Sequence, residues 1–191
     1  MKKFVPPSKA WGVVVSWTKV FQYAFVQAFC ASWFIVLATQ LRVPFYPVPM
    51  TLQSLAIMLI ALLATRRVAI GAVLLYLAYG AVGLPVFASG TGGLASFVGP
   101  TAGYLVGFVL MSAVIASLAE RYPESGFWMR LGFLLLGNVF LFAPGIGFLA
   151  HLIGWEKAFQ AGFLPFVWAL PTKAALAACL SVYLQSQYRK A

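Results

Sequence analysis

Six apolar segments, at residues 21–41, 51–64, 68–82, 104–118, 131–152 and 165–185, make up most of this 191-residue chain, and almost all of its charge lies between or outside them. The first is long enough to cross a bilayer, since roughly 20 helical residues span the hydrocarbon core. With 63% hydrophobic and only 8% charged residues, the chain cannot build a water-facing surface of ordinary composition. The bilayer is therefore its solvent, and its backbone groups must be satisfied internally. The expectation is an all-α membrane protein with six transmembrane helices in one domain covering residues 1–191.

The formal charge is +10, from 13 Lys and Arg against 3 acids. On a soluble chain that balance points to nucleic acid, but here its placement points to topology. Lys2, Lys3, Lys9, Lys19, Arg66, Arg67, Arg121, Arg130, Arg189 and Lys190 all fall on one side of a six-span thread. The other side keeps Arg42 and Lys157, with His151 and Glu156. The positive-inside bias then places both termini in the cytoplasm, an N-in/C-in arrangement, and excludes nucleic acid as a partner. Arg66 and Arg67 mark a tight hairpin between the second and third segments, with the pair at the interface. Lys2 and Lys3 precede no short apolar core with a small-residue cleavage site, so the first apolar segment is expected to remain. Cys30 and Cys179 lack any metal or redox spacing and read as buried small residues.

Between Gly83 and Gly103 the chain is rich in Gly, Pro, Ser and Thr and cannot be one regular helix. At membrane depth such a stretch needs a cavity or protein around it. Its glycines, Gly90, Gly92 and Gly93 among them, allow close approach, and Ser89 and Thr91 offer hydroxyls, so it either wraps a small polar ring or is a re-entrant connector. Pro47 and Pro49 stiffen a second loop on the same external side, where Thr51 can cap the next helix and Gln53 projects from its first turn, toward the mouth or into solvent. Tyr46, Phe87, Phe97, Tyr104 and Trp168 fall near that face, as stacking surfaces or as an interfacial belt. Pro144, Gly145 and Gly147 can bend the fifth segment. Lys173 lies inside the last one, where it either meets a cavity and a bound anion or snorkels to the interface.

The chain has no Asp, and its acids are Glu120, Glu124 and Glu156 beside a single His151. That leaves no paired carboxylates, no metal cluster, no Ser-His-Asp set and no Walker motif. Neither a catalytic residue nor a cofactor or metal is expected. Any energy input then comes from a partner or a gradient.

The segments Pro47-Val48-Pro49-Met50-Thr51-Leu52-Gln53, Tyr76 to Gly80, Gly83-Leu84-Pro85-Val86-Phe87, Gly90-Thr91-Gly92-Gly93 and Gly99-Pro100-Thr101-Ala102-Gly103-Tyr104, in this order and spacing, resemble the BioY family, the biotin-specific S components of energy-coupling factor transporters. The resemblance covers residues 24–178. It implies the six-helix S-component fold, a multi-pass place in the bacterial plasma membrane, and high-affinity binding of biotin near the external face. It also implies a transmembrane scaffold subunit and two ATPases as partners, docked through small residues of the first helix, to which Ala24 and Ala28 correspond. Plausible ligand contacts are Gln53, Phe87, Ser89, Thr91, Gly92, Gly93, Tyr104 and Lys173. The family's Gly-Asp-x-x-Lys reads Ala169-Leu170-Pro171-Thr172-Lys173 here, so Leu170 stands where the Asp would be. A lost hydrogen bond to a charged group costs roughly 1.5 to 3 kcal/mol unless Thr172, Asn138 or Gln53 replaces it. The competing readings are a subunit for another vitamin-like solute and a structural membrane protein.

Overall fold

A computed structural model describes residues 17–44 and 46–188. The cations Lys2, Lys3, Lys9, Arg189 and Lys190, counted above for topology, lie outside these residues. The order is α1 (Trp17–Gln40), a short hairpin of β1 (Arg42–Val43) and β2 (Met50–Thr51), α2 (Gln53–Leu63), α3 (Arg66–Ala81), α4 (Ala102–Arg121), α5 (Phe127–Ile153), α6 (Trp155–Gly162) and α7 (Ala169–Tyr188). The six apolar segments correspond to α1 through α5 and α7. Four helical stretches, in α1, α4, α5 and the α6–α7 region, are long and apolar enough to cross a membrane.

The α2–α3 pair behaves differently. With 11 residues, α2 is only about 16 Å long, well short of a ~30 Å hydrocarbon core. It turns directly into α3 through Thr65, whose hydroxyl accepts the Val68 N–H at 3.4 Å. Glu120, from the end of α4, accepts the Arg66 N–H at 2.6 Å. Two of the unpaired amides of the α3 N-terminus are thereby satisfied. Because α2 is short, the β1–β2 hairpin sits over its start, paired antiparallel with Arg42 opposite Thr51 and Val43 opposite Met50. This hairpin, with its cis Tyr46–Pro47 peptide, was expected only as a stiff loop.

The bundle closes by backbone contact between α4 and α5. A Cβ added to Gly103 would lie 2.2 Å from the Pro144 carbonyl oxygen, and one on Gly107 would lie 2.5 Å from that of Leu141. Gly103-x-x-x-Gly107 is thus a small-residue stripe that lets two membrane helices touch. Around it Tyr76, Ile57, Met111, Ile115, Leu134 and Leu149 are fully buried.

Several sequence expectations change in the folded chain. Pro144, Gly145 and Gly147, where the fifth segment can bend, all lie inside α5, which runs as one helix from Phe127 to Ile153. The eight-residue α6 was not anticipated, and the last long helix starts at Ala169 because residues 164–166 form a separate 3-10 turn. Pro171 is accommodated because it lies in the first turn of α7, where its missing N–H breaks no helical bond. Cys30 and Cys179 are exposed on the outer surface and are not buried, which suits small apolar groups facing lipid. Arg130, read as an interfacial loop cation, is 3% exposed. Its guanidinium donates to the Ser125 carbonyl at 2.9 Å and to Gln185 of α7, tying the two ends together.

Gly107→Ala is expected to lower the melting temperature of the detergent-purified protein, by an overpacking cost of about 1–3 kcal/mol, since the backbone of α5 must move. Gly132→Ala, where the added carbon meets nothing within 4 Å, should leave it unchanged or raise it slightly.

Candidate functional site

A cavity of about 420 Å³ opens at the end of the bundle that carries the β1–β2 hairpin. Its size is that of a small-molecule pocket. Met58 of α2, Leu105 and Phe108 of α4 and Leu141 and Phe142 of α5 give it apolar walls. The hairpin turn at Tyr46, Pro47 and Pro49 covers one side, and the stretch between α3 and α4 covers the other.

That stretch is held by hydrogen bonds to the end of α3. The N–H groups of Gly83 and Gly93 both donate to the Gly80 carbonyl, at 3.1 and 2.7 Å, and that of Leu84 donates to the Tyr79 carbonyl at 3.0 Å. Carbonyls left open at a helix C-terminus are thereby satisfied without water. Gly80 has a second purpose. A Cβ there would lie 1.9 Å from the tip of the Phe87 ring, so only glycine lets that ring abut α3. Phe87 then packs edge-on against Tyr76 at 5.4 Å and against Phe97 at 5.7 Å, with centroids at the usual separation for aromatic pairs. The tip carries Ser89 at φ 71°, a left-handed conformation that a non-glycine residue seldom adopts.

Of the ligand contacts expected from the sequence, Gln53, Phe87, Ser89, Thr91, Tyr104 and Lys173 line this one cavity. Gly92 and Gly93 do not. Gly92 lies where the loop crosses itself, its absent Cβ 2.1 Å from the Leu84 carbonyl oxygen, and Gly93 has φ +87°. Both shape the loop and leave the lining to their neighbours. The Thr91 hydroxyl donates to the Ala88 carbonyl at 2.9 Å, and the Tyr104 hydroxyl to the Gly162 carbonyl at 2.8 Å. Tyr104 thus fixes α4 to the end of α6 and offers the cavity its ring. Trp168 is 82% exposed and lies outside the lining, as an interfacial aromatic would.

Lys173 faces a cavity and does not snorkel to the interface. It stands in the cavity wall, its ammonium donating to the Thr51 carbonyl at 2.7 Å and lying 3.5 Å from the Ser54 hydroxyl. It is the one charged side chain in the lining, so the field there favours an anion. Leu170, the residue standing where the resemblance implies an Asp, lines the cavity one turn away. Among the three groups considered as its replacement, Thr172 points its hydroxyl back to the Trp168 and Ala169 carbonyls, at 3.0 and 2.9 Å. Asn138 donates to the Leu134 carbonyl at 2.8 Å, behind Met58. Only Gln53 reaches the cavity.

Gln53 and Tyr76 form the part of the site that sequence reading undervalued. Gln53, expected near the mouth, is 4% exposed, and Tyr76 is fully buried. The Gln53 amide nitrogen and the Tyr76 hydroxyl are buried in the lining; the Tyr76 hydroxyl faces the Gln53 and Thr39 side chains, but neither group makes a close, well-aligned hydrogen bond among the described residues. Two such groups side by side in a cavity wall leave hydrogen-bonding capacity that their neighbours do not saturate. The one sequence signal for Tyr76 is a hydroxyl in the middle of an otherwise apolar helix, and for Ser54 its place beside Gln53 at the start of α2. His151 and Glu156 do not line the cavity, and Glu156 accepts from the Gln160 amide at 3.4 Å.

Ala24 and Ala28 lie at the other end of α1. Ala28 is buried, with its Cβ 3.4 Å from where one on Gly71 would be, so its small size serves the α1–α3 contact. Ala24 is half-buried.

If the unpartnered polar atoms are reserved for a ligand, their removal should not weaken the empty protein. Tyr76→Phe is expected to leave its unfolding temperature unchanged or raised, because deleting a buried unsatisfied hydroxyl removes a desolvation cost of about 1–3 kcal/mol. A clear fall in that temperature would show that the hydroxyl is bonded within the protein.

The geometry agrees with comparisons to known proteins. A biotin transporter BioY of Thermotoga maritima is 38% identical over 152 residues, which cover 79% of this chain and 89% of that protein. One of Rhizobium etli is 43% identical over 146 residues, covering 71% and 77%. The crystal structure of an S-component for biotin from an ECF-type ABC transporter superposes with a TM-score of 0.77 at 25% identity, over 91% of this chain and 95% of that one. The model of the BioY family matches residues 11–190. This chain belongs to the BioY family.

Proposed function

We propose that this chain binds biotin and mediates its uptake, as the substrate-specific membrane subunit of an ECF-type transporter, with residues 1–191 forming one domain. The observation that carries the reading is the cavity itself: apolar walls, one cation at Lys173, and two buried donors, at Gln53 and Tyr76, that make no close hydrogen bond among the described residues. Biotin offers matching chemistry. Its carboxylate and ureido oxygens accept hydrogen bonds, and its thiophane ring and alkyl chain suit the apolar walls. We take Gln53, Phe87, Ser89, Thr91, Tyr104 and Lys173 as ligand contacts, add Ser54 and Tyr76, and give Gly92 and Gly93 the role of shaping the lid. The partners are a transmembrane scaffold and ATPase subunits, since the chain itself carries no Walker motif. The setting is the bacterial plasma membrane, with both termini cytoplasmic and the cavity opening outward. The arginine-bearing α2–α3 turn at the opposite end of the bundle supports that orientation.

Thermal unfolding of the purified protein with biotin, desthiobiotin, thiamine and riboflavin tests the substrate. A ligand that binds only the folded state stabilises it by about 2.7 kcal/mol at a hundredfold excess over Kd. Biotin is expected to raise the melting temperature and the unrelated vitamins to leave it unchanged. A shift with thiamine or riboflavin in place of biotin would reassign the substrate, and no shift with any would support a structural membrane protein.

Lys173→Ala should weaken biotin binding about tenfold or more, the size of a hydrogen bond to a charged group. Equal affinity in an equilibrium binding assay would mean that the lysine serves only to hold the β1–β2 hairpin through Thr51.

A further inference from the structure

At the end of the bundle opposite the cavity, a groove of about 1060 Å³ runs between α1 and α3. Ala24 and Ala28 of α1 and Gly71, Leu74 and Ala78 of α3 form its walls. It is wide because four of those five side chains are small. Along α3 it extends from Thr65 to Ala78, about 20 Å, slightly more than the depth of one leaflet's hydrocarbon. The flanking Tyr23, Phe25 and Leu74 are exposed, so the groove faces outward to the bilayer. A furrow of this size cannot stay empty there, because its lining would forfeit dispersion contacts on one side.

The charge at its mouth selects the occupant. Arg66 and Arg67 border the groove and are exposed, and neither guanidinium has an ion pair or hydrogen bond among the described residues. Glu120 is the one acid at the mouth, and its carboxylate already accepts the Arg66 backbone N–H. Two cations against one engaged carboxylate leave the mouth positive. An apolar furrow one leaflet deep, closed by a cation pair at the level of the helix ends, matches a molecule with an acyl chain and an anionic head. Basic pockets between membrane helices hold such headgroups.

We propose that the α1–α3 groove is a binding site for an anionic phospholipid, its phosphate against Arg66 and Arg67 and one acyl chain along Ala24, Ala28, Gly71 and Ala78.

Native mass spectrometry of the full chain, released from nanodiscs of equimolar phosphatidylglycerol and phosphatidylcholine, tests this. Phosphatidylglycerol is expected to be retained preferentially. Arg66→Gln and Arg67→Gln should each reduce that retention roughly fivefold, the attraction of one cation for an anionic surface. Arg121→Gln should not change it, although Arg121 is exposed at the same end, because it lies outside the groove and stacks on Tyr122 at 5.8 Å. Ala78→Phe, which fills the furrow, should lower retention of both lipids. Equal retention of the two lipids by the wild-type chain would overturn the proposal, as would an equal loss with Arg121→Gln, which signals diffuse surface charge. Displacement by soluble glycerol phosphate would make it a free-phosphate site. A dimer peak in place of bound lipid, abolished by Ala78→Phe, would make the occupant a second copy of the chain.

Discussion

In hydrocarbon a backbone amide has no water to bond, and this constraint organises the molecule. The stretch between α3 and α4 leaves helical geometry, and several of its amides are satisfied because α3 ends in carbonyls that accept them. Gly80 is the junction. Its carbonyl takes the N–H of both Gly83 and Gly93, and its bare Cα lets Phe87 fold down onto α3. The Gln40 amide reaches the Val86 carbonyl at 3.4 Å and adds α1 to the same anchor. The wall of the cavity is therefore a by-product of satisfying a helix end.

The same economy explains the polar contents of the cavity. Lys173 is tolerated there because the Thr51 carbonyl, at the start of a short α2, meets its ammonium. Had α2 been a full span, that carbonyl would have been bonded within a helix and the lysine left without an acceptor. Gln53 and Tyr76 have no comparably close partner among the described residues, and buried polar atoms short of bonds cost the empty protein about 1–3 kcal/mol each, which a ligand can recover. Leu170 extends the apolar lining beside Lys173, so apart from that lysine the buried polar side chains of the site, Gln53 and Tyr76, lie on α2 and α3.

The two ends of the molecule divide the work. Glycines Gly103 and Gly107 bring α4 onto α5 and leave these helices as a rigid back wall. The hairpin and the α3–α4 stretch close the outer end, while α1 and α3 keep a small-residue groove at the other. Ala28 shows how little of a membrane helix is surplus: the alanine that resembles a docking position also sets how closely α1 packs on Gly71.

Much of this was legible in the sequence. Apolar length gave the helices, the placement of Arg66 and Arg67 gave the α2–α3 turn, and the glycine-rich composition of residues 83–103 gave irregular backbone over a cavity, because each depends on local chemistry alone. Lys173 announced itself as an ionisable residue inside an apolar helix. What the sequence left open was every property that depends on which neighbour a residue meets. Whether Lys173 snorkels or lines a site, whether Gln53 is solvated or buried, whether Gly92 touches a ligand or its own loop, and whether Arg130 is interfacial or tied to Gln185 were all decided by tertiary packing. Burial and hydrogen-bond partners are set by residues distant in the chain, as Thr51 is from Lys173, so only the folded arrangement could fix them.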